Sequence, residues 1–195
     1  NFEIRPVLEQ ILKSRQFYAA GARGAIVCDG VDLYAGQVRR FHVNGYNPAF
    51  TANVFQQYWL AWQMWDYGHF LMDPPNVAGW PGYRFWINSE TLPLRKLYSQ
   101  MLLEGELYGN AMDCGIDELV ETNRLSNPND PNRIVDDLAR LCFGVKPSAQ
   151  VRSLMLQTLL QGAQPGEWSI SQPNAAERLH DLYVLAMRLP EYQLK

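Results

Sequence analysis

The chain has 195 residues, 47% of them hydrophobic and 19% charged, enough apolar material for one folded domain and too much for a disordered chain. A net charge of -3 gives no basic footprint for nucleic acid or an anionic lipid surface. No apolar run approaches the roughly 20 residues that cross a bilayer, so direct membrane insertion of this segment is not expected.

The chain opens at Asn1 straight into a helical pattern, without a charged and then apolar leader. It therefore reads as a fragment or processed chain whose targeting segment, if any, lies elsewhere. A first helix is expected over 3–18, with Ile4, Val7, Leu8, Ile11 and Leu12 as one buried stripe. The short apolar run 25–28 is undecided between a helical turn and a strand. A second helix is expected over 32–41, with Tyr34, Val38 and Phe41 on one face. A third is expected over 51–67, where Phe55, Tyr58, Trp59, Trp62 and Trp65 recur at helical spacing. Aromatics in that pattern are read first as core, with their indole N–H groups in need of partners.

Residues 68–88 are too rich in Pro and Gly for a helix and too rich in aromatics for a floppy linker. They read as an ordered loop packed by its own side chains. A helix over 91–104 follows. Thr91 is the expected cap, Pro93 lies in the first turn, and Leu94, Leu97, Tyr98 and Met101 point inward. After an irregular stretch and a short helix over 116–123, Asp130-Pro131 marks a helix start at 131–143. Ile134, Leu138 and Leu141 face its core. Ser148 caps the next helix, which runs to about Gln161 before Gly162. The last helix starts after Pro173 and ends near Leu189, before Pro190. Apolar period-3.6 patterns without strand alternation define an all-α class. The expected architecture is a single helical domain of about seven or eight helices around the long ordered aromatic loop.

Chemistry-bearing motifs are sparse. Phosphate-cradling Gly loops, nucleophile elbows and HExxH are absent from the sequence. The three histidines, His42, His69 and His180, lie in separate segments without spaced ligand partners, so neither a metal nor a cofactor is expected. Of these, only His69, beside the loop, is a candidate acid or base, as are Asp66, Asp73 and Asp130 among the carboxylates. Asp136 and Asp137 read as acids favouring a helix N-terminus. Cys142 reads as a core thiol, and a Cys28–Cys114 disulfide is left open. Catalytic residues stay unassigned. The candidate ligand-binding set is Asp73, Asn76, Trp80, Arg84, Trp86 and Asn88 in and beside the loop, with Arg95 as a companion to Arg84. Trp80 and Trp86 are expected to be largely buried, and Arg84 to be held by at least two hydrogen bonds. Loop packing for structure alone, a ligand pocket and a protein-docking face are the three open readings.

The run Pro74-Pro75-Asn76-Val77-Ala78-Gly79-Trp80-Pro81-Gly82, followed by Trp86-Ile87-Asn88 and Thr91-Leu92, resembles the signature of the DUF1800 family of bacterial proteins of unknown function. Ile11–Phe17, Val31–Arg39 and Leu189–Gln193 resemble further segments of that family. Where the family commonly has a second Gly after Gly82, this chain has Tyr83-Arg84-Phe85. Pro93 stands where a plain helix former is usual. The resemblance spans most of the chain and implies the C-terminal portion of a longer protein, exported to the periplasm or cell surface. It brings no catalytic residues. The expected role is an exported module binding a partner protein or a surface glycan. The alternative is a hydrolase with acid–base residues near 73–88.

Overall fold

The computed structural model describes residues 3–41, 62–104 and 124–195. Six α-helices are delimited within them: α1 (Arg5–Leu12), α2 (Gly30–Arg40), α3 (Thr91–Glu104), α4 (Pro131–Cys142), α5 (Ala149–Leu160) and α6 (Ala175–Arg188). A further helical stretch at 62–66 brings the helices to seven among the described residues. No strand occurs among them, only an antiparallel bridge between Val27 and Leu194. The all-α expectation holds. The expected helix at 116–123, most of the one at 51–67, the Val38 side chain, His42 and Cys114 lie outside the described residues.

The C-terminal half is built where local signals are strongest. The Asp130 carboxylate accepts from the N–H groups of Asn132 (2.9 Å) and Arg133 (3.4 Å), with Pro131 in the first helical position. These bonds satisfy donors that the first turn of a helix otherwise leaves unpaired. The Ser148 hydroxyl does the same for Val151 N–H at 3.2 Å. α5 ends at Gln161 in the left-handed conformation, before Gly162. Helices α4, α5 and α6 pack on one another, and α3 lies against α6. Ile134, Leu138, Met155, Leu159, Leu179, Leu182 and Ala186 fill the space between them and are buried. Phe41, at the end of α2, meets Tyr183 of α6 edge-on with ring centroids 5.6 Å apart. Cys28 and Cys142 are buried free thiols, and burial pushes Cys142 up to about 12. Asp136 and Asp137 are not dipole-complementing acids of a first turn. Asp136 bonds Arg152 of α5 at 2.7 Å, and buried Asp137 accepts from both the N–H and the hydroxyl of Ser126 at 2.7 Å.

Two expected faces come out differently. α1 is shorter than expected and buries nothing. Ile4, Val7, Leu8, Ile11 and Leu12 are 47–69% exposed. In α3 the buried side is polar: Thr91, Arg95 and Ser99 are buried with Leu102 and Leu103, whereas Leu97 is exposed and Leu94, Tyr98 and Met101 are half-buried. Residues 91, 95 and 99 recur every four positions, so they share one helix face. The polar atoms on it are bonded in series. Thr91 Oγ1 donates to the Trp86 carbonyl (2.9 Å), Ser99 Oγ donates to the Arg95 carbonyl (2.7 Å), and Gln37 of α2 donates to Ser99.

The run 25–28 resolves as extended backbone. Ile26 and Lys195 exchange N–H···O bonds of 3.3 and 2.9 Å, and Cys28 N–H donates to the Gln193 carbonyl at 2.8 Å. Gln193 in turn accepts from Arg95 Nε at 2.7 Å. The C-terminal segment is thereby stitched between α2 and α3, directly behind the aromatic loop.

Candidate functional site

The loop after residue 66 is a succession of turns rather than a single curve. Gly68, Met72, Gly79, Gly82 and Tyr83 have φ between 51° and 87°, a region that side chains other than glycine's enter at a steric cost. Met72 and Tyr83 carry that cost of roughly 1–3 kcal/mol each. Asn76 Oδ1 accepts from Ala78 N–H at 2.8 Å and its carbonyl accepts from Gly79 N–H at 3.0 Å, a side-chain-assisted turn. A short 3-10 turn, Tyr83–Trp86, returns the chain toward α3.

His69 is the hub of this loop. Its ring stacks on Trp86 (centroids 4.8 Å, planes 26° apart) and meets Trp80 edge-on (4.9 Å). Its Nδ1 lies 3.6 Å from Asp29 Oδ1. Asp29 caps α2 by accepting from Asp32 N–H at 2.8 Å, and Asp32 accepts from Asp29 N–H at 3.3 Å. Gly30 makes the approach feasible: a Cβ there would sit 3.1 Å from Tyr67 and 3.3 Å from His69. Burial raises the Asp32 carboxyl, but the Lys195 ammonium and the Asp29 N–H outweigh it and leave it below its ordinary value.

The sequence-derived residues separate into three environments. Trp86 is buried and Trp80 half-buried, both on His69; the Trp80 indole N–H is buried with no hydrogen-bond partner among the described residues. Arg95 is fully buried, with bonds to Gln193 and the Cys28 carbonyl and its guanidinium 5.6 Å from the Tyr67 ring centre. Burial lowers its pKa from the ordinary arginine value. Asp73, Asn76, Arg84 and Asn88 face water. Arg84 lies over the Tyr83 ring at 5.3 Å instead of being held by two or more hydrogen bonds, and it is not a companion of Arg95. Asn88, not Thr91, caps α3: its Oδ1 accepts from the N–H groups of Glu90 and Thr91, both at 2.8 Å. Asx and ST turns compete for such positions, and Asn is as strong a cap as Asp.

Sequence reasoning placed Trp62 and Trp65 in the core, yet they are 60% and 58% exposed. They lie 6.2 Å apart, and Trp65 continues to Phe70 at 5.3 Å. Leu71, Met72, Val77, Tyr83 and Phe85 are exposed as well. Tyr98 of α3 donates to the Asp66 carboxylate, and burial with that bond pushes the phenol up to about 12. Among the described residues no three His, Cys, Asp or Glu side chains gather as a metal-binding group.

A helical domain with a clamped loop that carries aromatic side chains on its outer surface is the class of protein these elements define. The family model described as protein of unknown function, DUF1800, matches residues 1–194, and the chain belongs to that family. Comparison with curated proteins and with solved structures finds no match.

Proposed function

We propose that this chain is a binding module, working in the periplasm or at the surface of a bacterial cell, and that the outer face of residues 62–85 recognises a partner protein. The observation that carries the reading is the exposure of large apolar groups on a backbone held in place from behind. Met72 is 97% exposed and Val77 fully so, and Trp62, Trp65, Tyr83 and Phe85 are exposed as well. Large apolar side chains left in water on one such segment point to an interaction site, and aromatic and Met side chains are enriched at interface cores. The clamp of His69 between Trp80 and Trp86 means the loop need not be ordered on binding, so less ordering entropy opposes association. Export rests on the resemblance to the family alone.

Surface glycan is the second reading. It is favoured by the tilted Trp62–Trp65 pair, whose ring faces can stack on sugars, with exposed Asp73, Asn76 and Arg84 on the same loop to hydrogen-bond hydroxyls. The hydrolase alternative has less support. His69 is 8% exposed and hemmed in by two indoles, and Asp73 faces open water.

Two paired variants separate the readings. Met72→Ser with Val77→Ser should abolish a protein contact and spare glycan binding, while Trp62→Ala with Trp65→Ala should weaken both. Photo-crosslinking on intact cells reads the first, and quenching of tryptophan fluorescence by cell-surface polysaccharide reads the second. Unchanged crosslinking and unchanged quenching in both variants would sink the binding face altogether.

A further inference from the structure

The methionines of the chain divide sharply by exposure. Of the six, Met64, Met155 and Met187 are at most 2% exposed, Met101 is half-buried and Met112 lies outside the described residues, whereas Met72 is 97% exposed. Met72 also occupies a backbone position ill-suited to it. Asp73 N–H donates to the Phe70 carbonyl at 3.3 Å and closes a four-residue turn. Met72, at the third position, has φ 65°, while Leu71 before it has no positive φ. Glycine is the usual residue at the third position of such a turn. A side chain there is strained through its Cβ, and one this exposed buries almost nothing that would offset the strain. Stability of the fold therefore does not explain a methionine at this place, and strain of this kind persists where function uses the residue.

We propose that Met72 is a reversible oxidation site: an oxidant of the peroxide class converts its thioether to the sulfoxide, and the sulfoxide releases the partner protein from the outer face of residues 62–85. The proposal rests on the reading of that face as a protein-binding surface and adds its regulation. The step balances with the peroxide as its one co-reactant. A sulfur lone pair attacks one peroxide oxygen, and the S–O bond forms as the O–O bond breaks. The departing hydroxide takes the proton of the transferred OH and leaves as water. Sulfur is oxidised by two electrons and the peroxide is reduced by two. Two thiols reverse the step, carrying the oxygen off as water and becoming a disulfide, which is the chemistry of methionine sulfoxide reductases. The effect on binding is physical. A thioether is apolar and adaptable, which suits an interface core. A sulfoxide carries a strong acceptor oxygen, and burying it against an apolar surface is unfavourable unless a donor meets it. Exposed Leu71, Val77 and Phe85 on the same loop have no comparable chemistry. The loop itself should keep its shape, because the Asn76 turn and the stacking of His69 with Trp80 and Trp86 do not involve the Met72 side chain.

Two measurements test this. In the first, the purified chain is titrated with hydrogen peroxide and its peptides are mapped by mass spectrometry. Met72 should convert fully while Met64, Met155 and Met187 stay reduced, and the melting temperature should not move, since this sulfur lies outside the core. Conversion of the buried methionines as early as Met72 overturns the proposal. In the second, photo-crosslinking on intact cells compares the reduced chain, the oxidised chain, and the oxidised chain after treatment with thiol and methionine sulfoxide reductase. Crosslinking should fall about tenfold on oxidation, the loss expected from one polar group placed in an apolar contact, and should return on reduction. Met72→Leu, judged only against itself, should crosslink to the same extent before and after peroxide. Met72→Gly relieves the backbone strain, so its melting temperature should rise while its crosslinking falls. Undiminished crosslinking by the oxidised chain overturns the switch and leaves the binding face standing. An equal fall in Met72→Leu assigns the effect to another side chain and also overturns it. Absence of crosslinking from the reduced wild-type chain is the failure of the binding face itself and takes the release step with it; the peptide map, which needs no partner, still decides whether Met72 is the oxidation site.

Discussion

Trp80 and Trp86 both touch His69, but one is wedged into the core and the other forms the outer wall of the clamp. Their removal should therefore differ. Trp86→Ala deletes a buried indole and leaves a cavity against His69 and α3, a loss of about 3–5 kcal/mol. Trp80→Ala removes a half-buried ring and frees its unbonded N–H from burial, so about 1–2 kcal/mol is expected. Urea denaturation of the two variants reads both, and equal losses would mean that Trp80 is as much core as Trp86. Arg95 is the second residue whose role is settled by what surrounds it. A buried guanidinium reaches Gln193 and the Cys28 carbonyl at once because its donors form a planar fork. Lysine offers a single ammonium, so Arg95→Lys leaves at least one of those acceptors dry. About 2–4 kcal/mol should be lost; a near-neutral result would show that the charge, not the fork, is what the site uses.

The helix start at Asp130 is the element that the sequence specified most fully, because cap and proline act on the adjacent turn and need nothing distant. Asp130→Ala should cost roughly 0.5–2 kcal/mol, and a loss under about 0.2 kcal/mol in chemical denaturation would show that the cap contributes nothing. The faces of α1 and α3 were misread for the opposite reason. Apolar periodicity names a stripe but not what covers it, and no α1 residue is buried among the described residues. In α3 the buried side is polar because its partners, Gln193 and Gln37, arrive from far along the chain, which no local pattern records. The His69 clamp was invisible in the same way, since Asp29, the cap of α2, comes from far upstream in the chain. The loop was legible as a packed structure, whereas which of its aromatics face outward was not. Between α4 and α5 the ion pair has a pH signature. The bond from Arg152 holds the Asp136 carboxyl below its ordinary value. A carboxylate depressed on folding stabilises the fold above the unfolded-state value of about 3.9, and that contribution is lost as pH falls through the lower folded-state value. Asp136→Asn should therefore lower the melting temperature slightly at pH 7, with the gap to wild type closing from about pH 4 downward. Its carboxylate is 39% exposed, so salt should shrink the gap as well. A gap that stays constant from pH 7 to pH 2 would show that the pair adds nothing.

At the scale of the molecule the two ends of the chain are held very differently, and this asymmetry can be tested by deletion. Residues 190–195 enter the core. Tyr192 and Gln193 are 3% and 2% exposed, Lys195 exchanges backbone bonds with Ile26, and its ammonium bonds Asp32 beside the Asp29 cap. Removing these residues opens the space beside Gly144, where a Cβ would lie 3.3 Å from the Leu194 carbonyl oxygen, and strips Arg95 of the Gln193 acceptor. A lost Tyr-sized burial costs roughly 1.5–3 kcal/mol, and each buried group left unpaired costs a further 1–3 kcal/mol. The sum, about 5 kcal/mol or more, is a large part of the roughly 5–15 kcal/mol that holds a domain of this size together. Deleting 190–195 should therefore abolish cooperative unfolding near 25 °C or lower the melting temperature steeply. Deleting 1–18 removes more apolar residues than the C-terminal deletion but, among the described ones, no buried one, so the change should stay within about 0.5 kcal/mol. Calorimetry on the two truncations decides the matter. A steep loss from the N-terminal deletion would mean that α1 is packed in solution against its own chain, and a mild loss from the C-terminal one would mean that the Arg95–Gln193 seam closes without the strand-like pairing of residues 26 and 195.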